Sequence, residues 1–177
     1  MEEYQLNFEE IHQNHLKSIA DINKNRLPII IITDGINDVG NIGMIFRLAD
    51  AVRIEKIFLI NLKENFNFKL LKKKSRSTSD YVSFEIIKDL SQIKKIKGKY
   101  KFLVLDKTNK SINYSELIPE FPICLIIGSE KFGVSEELIK YADTSVHIPM
   151  LGINTSINAA TATAVVLYEI TNKYQKT

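Results

Sequence analysis

Apolar runs of strand length recur along the chain: Pro28 to Thr33, Lys56 to Ile60, Val82 to Ile87, Lys101 to Leu105, Pro122 to Ile127 and Thr144 to Ile148. Several are unbroken Ile, Leu and Val, the pattern of parallel strands covered on both faces. Between them the spacing turns helical. Asn41 can cap a helix whose Ile42, Ile45, Phe46 and Ala49 make one stripe. Ser135 can cap another over Glu136 to Tyr141, with two carboxylates in its first turn to suit the helix dipole. Strands alternating with helices predict an α/β domain with a mostly parallel sheet flanked by helices.

The two ends of this pattern differ from its middle. Phe8, Ile11, His12, His15, Leu16 and Ile19 predict a short amphipathic N-terminal helix over about residues 5–24. The C-terminal segment from Ile157 to Ile170 is small and apolar nearly all round, so a helix there must be buried on more than one side. A partner subunit could supply the second side, and so could a large sheet.

At 177 residues the chain suits a single domain spanning 1–177, and 45% hydrophobic residues can fill one core. The longest apolar run, Ile29 to Ile32, is far short of the ~20 residues of a membrane span. Met1-Glu2-Glu3-Tyr4 lacks the profile of a signal peptide, so a cytoplasmic protein without membrane contact is expected. The single cysteine, Cys124, excludes an intrachain disulfide and a multi-cysteine metal site. His12, His15 and His147 form no ligand cluster, and His147, inside a strand, reads as packed or hydrogen-bonded. No metal is expected.

The net charge of +3 hides an uneven distribution. Residues 63–110 hold 14 Lys and Arg against 5 Asp and Glu, a net of +9, while the segments on either side are each net −3. Such a block can draw in a polyanion, with Lys72, Lys73, Lys74 and Arg76 as candidate phosphate contacts. Stretches such as Lys94-Lys95-Ile96-Lys97 can equally be solvated helix faces.

Three polar segments fall at the carboxyl ends of predicted strands, where open α/β sheets place ligands. The first, Asp34 to Arg47, offers Gly40 and Gly43 for close backbone approach, and sets Asn41 and Arg47 six residues apart. The second is Gly128-Ser129-Glu130 with Gly133-Val134. The third runs from Ile148-Pro149-Met150 to Ser156-Ile157-Asn158 at the mouth of the apolar helix; capping explains one of Ser156 and Asn158, not both. Each segment alone is also compatible with a plain capped turn. Neither a phosphate-cradling Walker sequence nor a Gly-x-Ser-x-Gly elbow is present.

In this order the three segments resemble the motifs of the SpoU (TrmH-like) family of RNA 2′-O-ribose methyltransferases, in the SPOUT superfamily. Asn41-Ile42-Gly43 with Arg47 is similar to the first motif, Gly128-Ser129-Glu130 with Gly133-Val134 to the second, and Ile148-Pro149-Met150 through Ser156-Ile157-Asn158 to Tyr168-Glu169 to the third. The resemblance covers Asp34 to Glu169. It implies an S-adenosyl-L-methionine-dependent methyltransferase acting on tRNA or rRNA, with a C-terminal deep trefoil knot and a homodimer whose active site uses both subunits. Carried over by motif, Asn41, Arg47, Glu130, Ser156 and Asn158 are the expected catalytic residues. Leu105, Gly128, Ile148, Met150, Ser156 and Ile157 are expected to hold the cofactor, and Arg47 to meet an RNA phosphate. A non-catalytic RNA-binding protein on the same fold is the alternative.

Overall fold

Four consecutive isoleucines sit in the middle of the sheet. Ile29 and Ile31 of β1 (Leu27–Asp34) point into one core, Ile30 and Ile32 into the other, and none is more than 1% exposed. Successive strand side chains face opposite ways, so only a strand buried on both faces can be apolar without alternation.

The computed structural model describes Gln5, Asn7, Glu9 and residues 25–89 and 91–176. The N-terminal helix expected over residues 5–24, with His12 and His15, lies outside the described residues apart from those three positions. After β1 come α1 (Val39–Ala51), β2 (Ile54–Ile60), α2 (Phe68–Lys74), β3 (Phe84–Ile87), α3 (Ser91–Lys97), β4 (Lys101–Leu105), β5 (Ile112–Asn113), β6 (Ile123–Gly128), α4 (Glu136–Ile139), β7 (Thr144–His147) and α5 (Ala159–Tyr174). The seven strands form one sheet in the order β3-β2-β1-β6-β4-β7-β5, with every pairing parallel. The predicted α/β architecture holds. β5 escaped prediction because two residues carry no readable period.

One core lies under α1 and α5, and the other under α3 and α4. The expected α1 stripe of Ile42, Ile45, Phe46 and Ala49 is wholly buried. Gly43 admits the backbone of Lys74 at the end of α2, since a Cβ there would stand 2.9 Å from the Lys74 carbonyl carbon.

Two helix starts differ from expectation. Asp38, not Asn41, caps α1: its Oδ1 accepts the Asn41 backbone N–H at 2.7 Å. The helix therefore begins three residues earlier, and the Asn41 side chain is spared for other work. The last helix begins at Ala159, capped by Asn158. Within this chain it buries one face, through Ala160, Thr163, Val166, Leu167 and Ile170, while Tyr168 remains 53% exposed.

Register lines up the strand ends. Thr33 pairs with Ile127, Ile127 with Leu105, and Leu105 with Val146, and in the next row Asp34 pairs with Gly128. The loops after these strands thus emerge from one edge.

Candidate active site

Two aspartates shape that edge from below. Asp34, 4% exposed at the end of β1, accepts the Ser135 backbone N–H and the Asn61 amide, each at 2.7 Å. Asp106, just after β4, accepts the N–H of Val134 at 2.8 Å and of Lys107 at 2.7 Å. Backbone N–H groups held by carboxylates make strong, directional bonds, so the loop after β6 is fastened at both 134 and 135.

That loop closes on itself as well. Gly133 donates its N–H to the Ser129 carbonyl at 2.8 Å and adopts φ +66, a left-handed conformation that glycine takes at little cost. A side chain at Gly128 would overlap the Gly133 backbone. The glycine ending β6 is therefore required by the turn that presents Glu130. Protein backbone fills the space beside its bare Cα.

The three polar segments meet through Asn41. Its Nδ2 donates to Glu130 Oε1, and its Oδ1 accepts from Asn158 Nδ2 at 2.9 Å. Asn158 uses its own Oδ1 to accept the N–H groups of Ala160 at 2.9 Å and Thr161 at 3.2 Å. Each amide has one donating and one accepting end, so the bridge has a fixed direction: helix N–H to Asn158, Asn158 to Asn41, Asn41 to Glu130. Residues 89 and 117 apart in sequence become neighbours.

Residues 28–168 match the SpoU rRNA Methylase family. The chain belongs to that family. It is 29% identical over 170 residues to a 23S rRNA (guanosine-2′-O-)-methyltransferase, RlmB, of Blochmanniella floridana, covering 93% of this chain and 66% of the relative. It is 28% identical over 168 residues to a putative TrmH family tRNA/rRNA methyltransferase of Staphylococcus epidermidis, covering 94% and 65%. The chain thus spans just under two thirds of these relatives' lengths. Among solved structures, the A. aeolicus TrmH/SpoU tRNA modifying enzyme superposes with a TM-score of 0.80 at 23% identity, over 94% of this chain and 85% of that one. The AviRb SpoU methyltransferase of Streptomyces viridochromogenes, solved in complex with AdoMet, gives 0.73 at 23% identity, over 82% and 57%.

The other residues singled out in this SpoU family chain lie around the bridge without joining it. Ser156 and Ile157 are exposed in the segment leading to α5, where Leu151 is 98% exposed. Leu105 and Ile148 are half-buried against the core under α1 and α5, and Met150 is half-buried. Arg47 is exposed on α1 and borders a groove of about 380 Å³ with Met44, Leu48 and Ala51, closed on its far side by Ala160, Thr161 and Ala164 of α5. Lys73, Lys74 and Arg76 are exposed, while Lys72 pairs with Asp80 at 2.7 Å, whose hydrogen bond raises the lysine pKa. A pair so exposed contributes little, so Lys72 can exchange Asp80 for another anion.

Sequence reasoning missed Asp34, Asp38 and Asp106 as builders of the site. The available signal was an acid directly after an apolar strand. His147 is hydrogen-bonded to Ser111 through Nδ1 at 3.0 Å, as read. Burial pushes the Cys124 thiol well above its ordinary pKa, which keeps it protonated and unreactive. Among the described residues, no group of three or more His, Cys, Asp or Glu could hold a metal, and no helix is long and apolar enough to cross a membrane.

Proposed function

We propose that this chain is an S-adenosylmethionine-dependent methyltransferase that modifies a ribose 2′-hydroxyl of tRNA or rRNA in the cytoplasm. The Glu130–Asn41–Asn158 bridge carries the reading, because it joins all three motif segments at the carboxyl edge of the sheet. A protein that had kept only RNA binding would have no need to hold these three polar residues together.

The residues at the strand ends fit the cofactor. Leu105 and Ile148 offer half-buried apolar surface beside Gly128, and Met150, Ser156 and Ile157 follow in the next segment. Apolar side chains can flank adenine there while backbone groups meet its polar edge. When bound, the cofactor supplies the methyl group. Asn41, Glu130 and Asn158 keep the surrounding loops in place, and Ser156 lies exposed two residues before Asn158. Arg47 holds an RNA phosphate with its planar fork and polarises the hydroxyl. A guanidinium offers only donors and does not act as a base. Lys72, Lys73, Lys74 and Arg76 contact phosphates that set register; replacing them by alanine should flatten the salt dependence of RNA binding by about 0.7–0.9 for each phosphate no longer neutralised.

The reading is tested by calorimetry with S-adenosylmethionine together with mass mapping of ribose methylations in cells lacking the protein. It predicts cofactor binding and a missing 2′-O-methyl mark. A folded protein without affinity for the cofactor would leave only an RNA-binding role.

The open face of α5 favours a homodimer. Ala164, Val165 and Tyr168 are left partly or largely exposed, so a second copy would provide the missing cover. Ala164→Glu would then place an unpaired charge in packed surroundings, at a cost of several kcal/mol. Sedimentation showing a monomer at micromolar concentration would reject the dimer. We further propose that the segment between β7 and α5 closes a deep trefoil knot. Supporting this, β7 lies beyond β4 while α5 packs back on α1. Stretched from its ends, a knotted chain stops short of its full contour length.

A further inference from the structure

A second feature of this edge takes no part in the bridge. At the carboxyl ends of β2 and β3, Phe66, Phe68 and Ile86 line a groove of about 590 Å³, with Lys63 and Lys88 at its margins. Phe68 is 41% exposed and Ile86 39%, although both are large apolar side chains. The Phe68 ring is supported from behind: it lies near-parallel to Phe84, with centroids 6.4 Å apart and an interplanar angle of 18°, and meets the edge of Phe66 at 5.0 Å. An aromatic ring braced by two others and still open to solvent is a platform.

The groove is fastened to the candidate active site. Lys63 donates its backbone N–H to Asn37 Oδ1 at 2.7 Å, in the loop that leads into α1 and Asn41. Asn61, which also lines the groove, donates to Asp34 Oδ1. Its φ of 54 is a left-handed value that asparagine tolerates better than most residues.

We propose that this groove receives an unstacked nucleobase of the RNA, stacked on Phe68, with the adjoining phosphates on Lys63 and Lys88. The proposal rests on RNA being the substrate. Base stacking on an exposed aromatic beside basic residues is the common device for holding single-stranded nucleic acid. Among the described residues, Glu64 is the one acid in the lining. It would repel a phosphate but can accept a hydrogen bond from a base amino group. A second copy of this chain fits poorly, because Lys63 and Lys88 at the groove margins would meet the same basic margins of the other copy, and like charges brought together oppose association.

Fluorescence anisotropy with a single-stranded RNA dodecamer and a blunt RNA duplex of equal length tests the groove, using Phe68→Leu, Phe68→Trp and Ile86→Glu proteins of parental melting temperature. Phe68→Leu keeps an apolar side chain but loses the ring, and Ile86→Glu adds a carboxylate at an exposed edge position, so neither depends on disturbing the core. The dodecamer should bind both about fivefold or more weakly, the duplex should change by less than about twofold, and Phe68→Trp should bind the dodecamer like the parent. Equal losses for both RNAs, or no loss in either Phe68→Leu or Ile86→Glu, overturn the proposal; the second result is what a groove serving a protein partner would give. Calorimetry with S-adenosylmethionine on the same proteins keeps the two readings apart. Missing cofactor affinity with intact RNA discrimination would reject methyl transfer and leave the groove standing.

Discussion

Arg47→Ala and Arg47→Lys should both lose most methyl transfer, by about 100-fold or more, while S-adenosylmethionine affinity stays near that of the parent protein. A loss of that size is about 2.7 kcal/mol of transition-state stabilisation. The expectation follows from where the helix places this side chain. Arg47 lies six residues beyond Asn41, roughly 9 Å along the axis at 1.5 Å per residue, and is exposed on α1 outside the hydrogen-bonded bridge. It lies one turn past Gly43, against which the end of α2 packs at Lys74, and it borders the groove between α1 and α5. It can therefore engage RNA without altering the strand ends where the cofactor is proposed to bind. Lysine keeps the charge but loses the planar fork, which separates geometry from electrostatics. If Arg47→Lys methylates RNA at the parental rate, Arg47 is a point charge and its role in orienting the hydroxyl fails.

The parts of the molecule that sequence made legible are those in which one segment answers to its own environment. An unbroken run such as Ile29 to Ile32 can only be a strand covered on both faces, and β1 is that strand. The spacing of Ile42, Ile45, Phe46 and Ala49 declared a helix and named its buried face. What escaped depends on encounters between distant segments. Asn41 reads as a cap because asparagine favours that position, yet Asp38 stands three residues earlier and takes the role. Asp34 and Asp106 look like ordinary strand ends until the loop after β6 is seen hanging from their carboxylates. Phe66 and Phe68 lie inside a stretch whose charge dominates its reading. Their platform exists only once β3 brings Phe84 and Ile86 alongside.

The direction of the bridge makes a sharper test than its removal. Asn158→Asp keeps an oxygen for the Ala160 and Thr161 N–H groups, and a carboxylate suits a helix N-terminus, so α5 stays capped and the melting temperature should move little. What the variant loses is the donor to Asn41. The Asn41 amide then lies between two carboxylates, and one amide cannot turn its donating end toward both. Methyl transfer should fall on the order of 100-fold, the scale of a small misplacement of reacting groups. Asn158→Ala would in addition give up the cap, worth about 0.5–2 kcal/mol, and so mixes stability with geometry. The double variant Glu130→Gln with Asn158→Asp can rebuild the bridge in reverse: the introduced glutamine donates to Asn41, and Asn41 turns to donate to the introduced aspartate. Recovery of about tenfold or more over Asn158→Asp alone would be a coupling between residues that never touch, carried by Asn41. A double variant no better than the single one, with cofactor still bound, would mean that the charge of Glu130 matters in itself. Parental activity in Asn158→Asp would reduce the bridge to a structural contact.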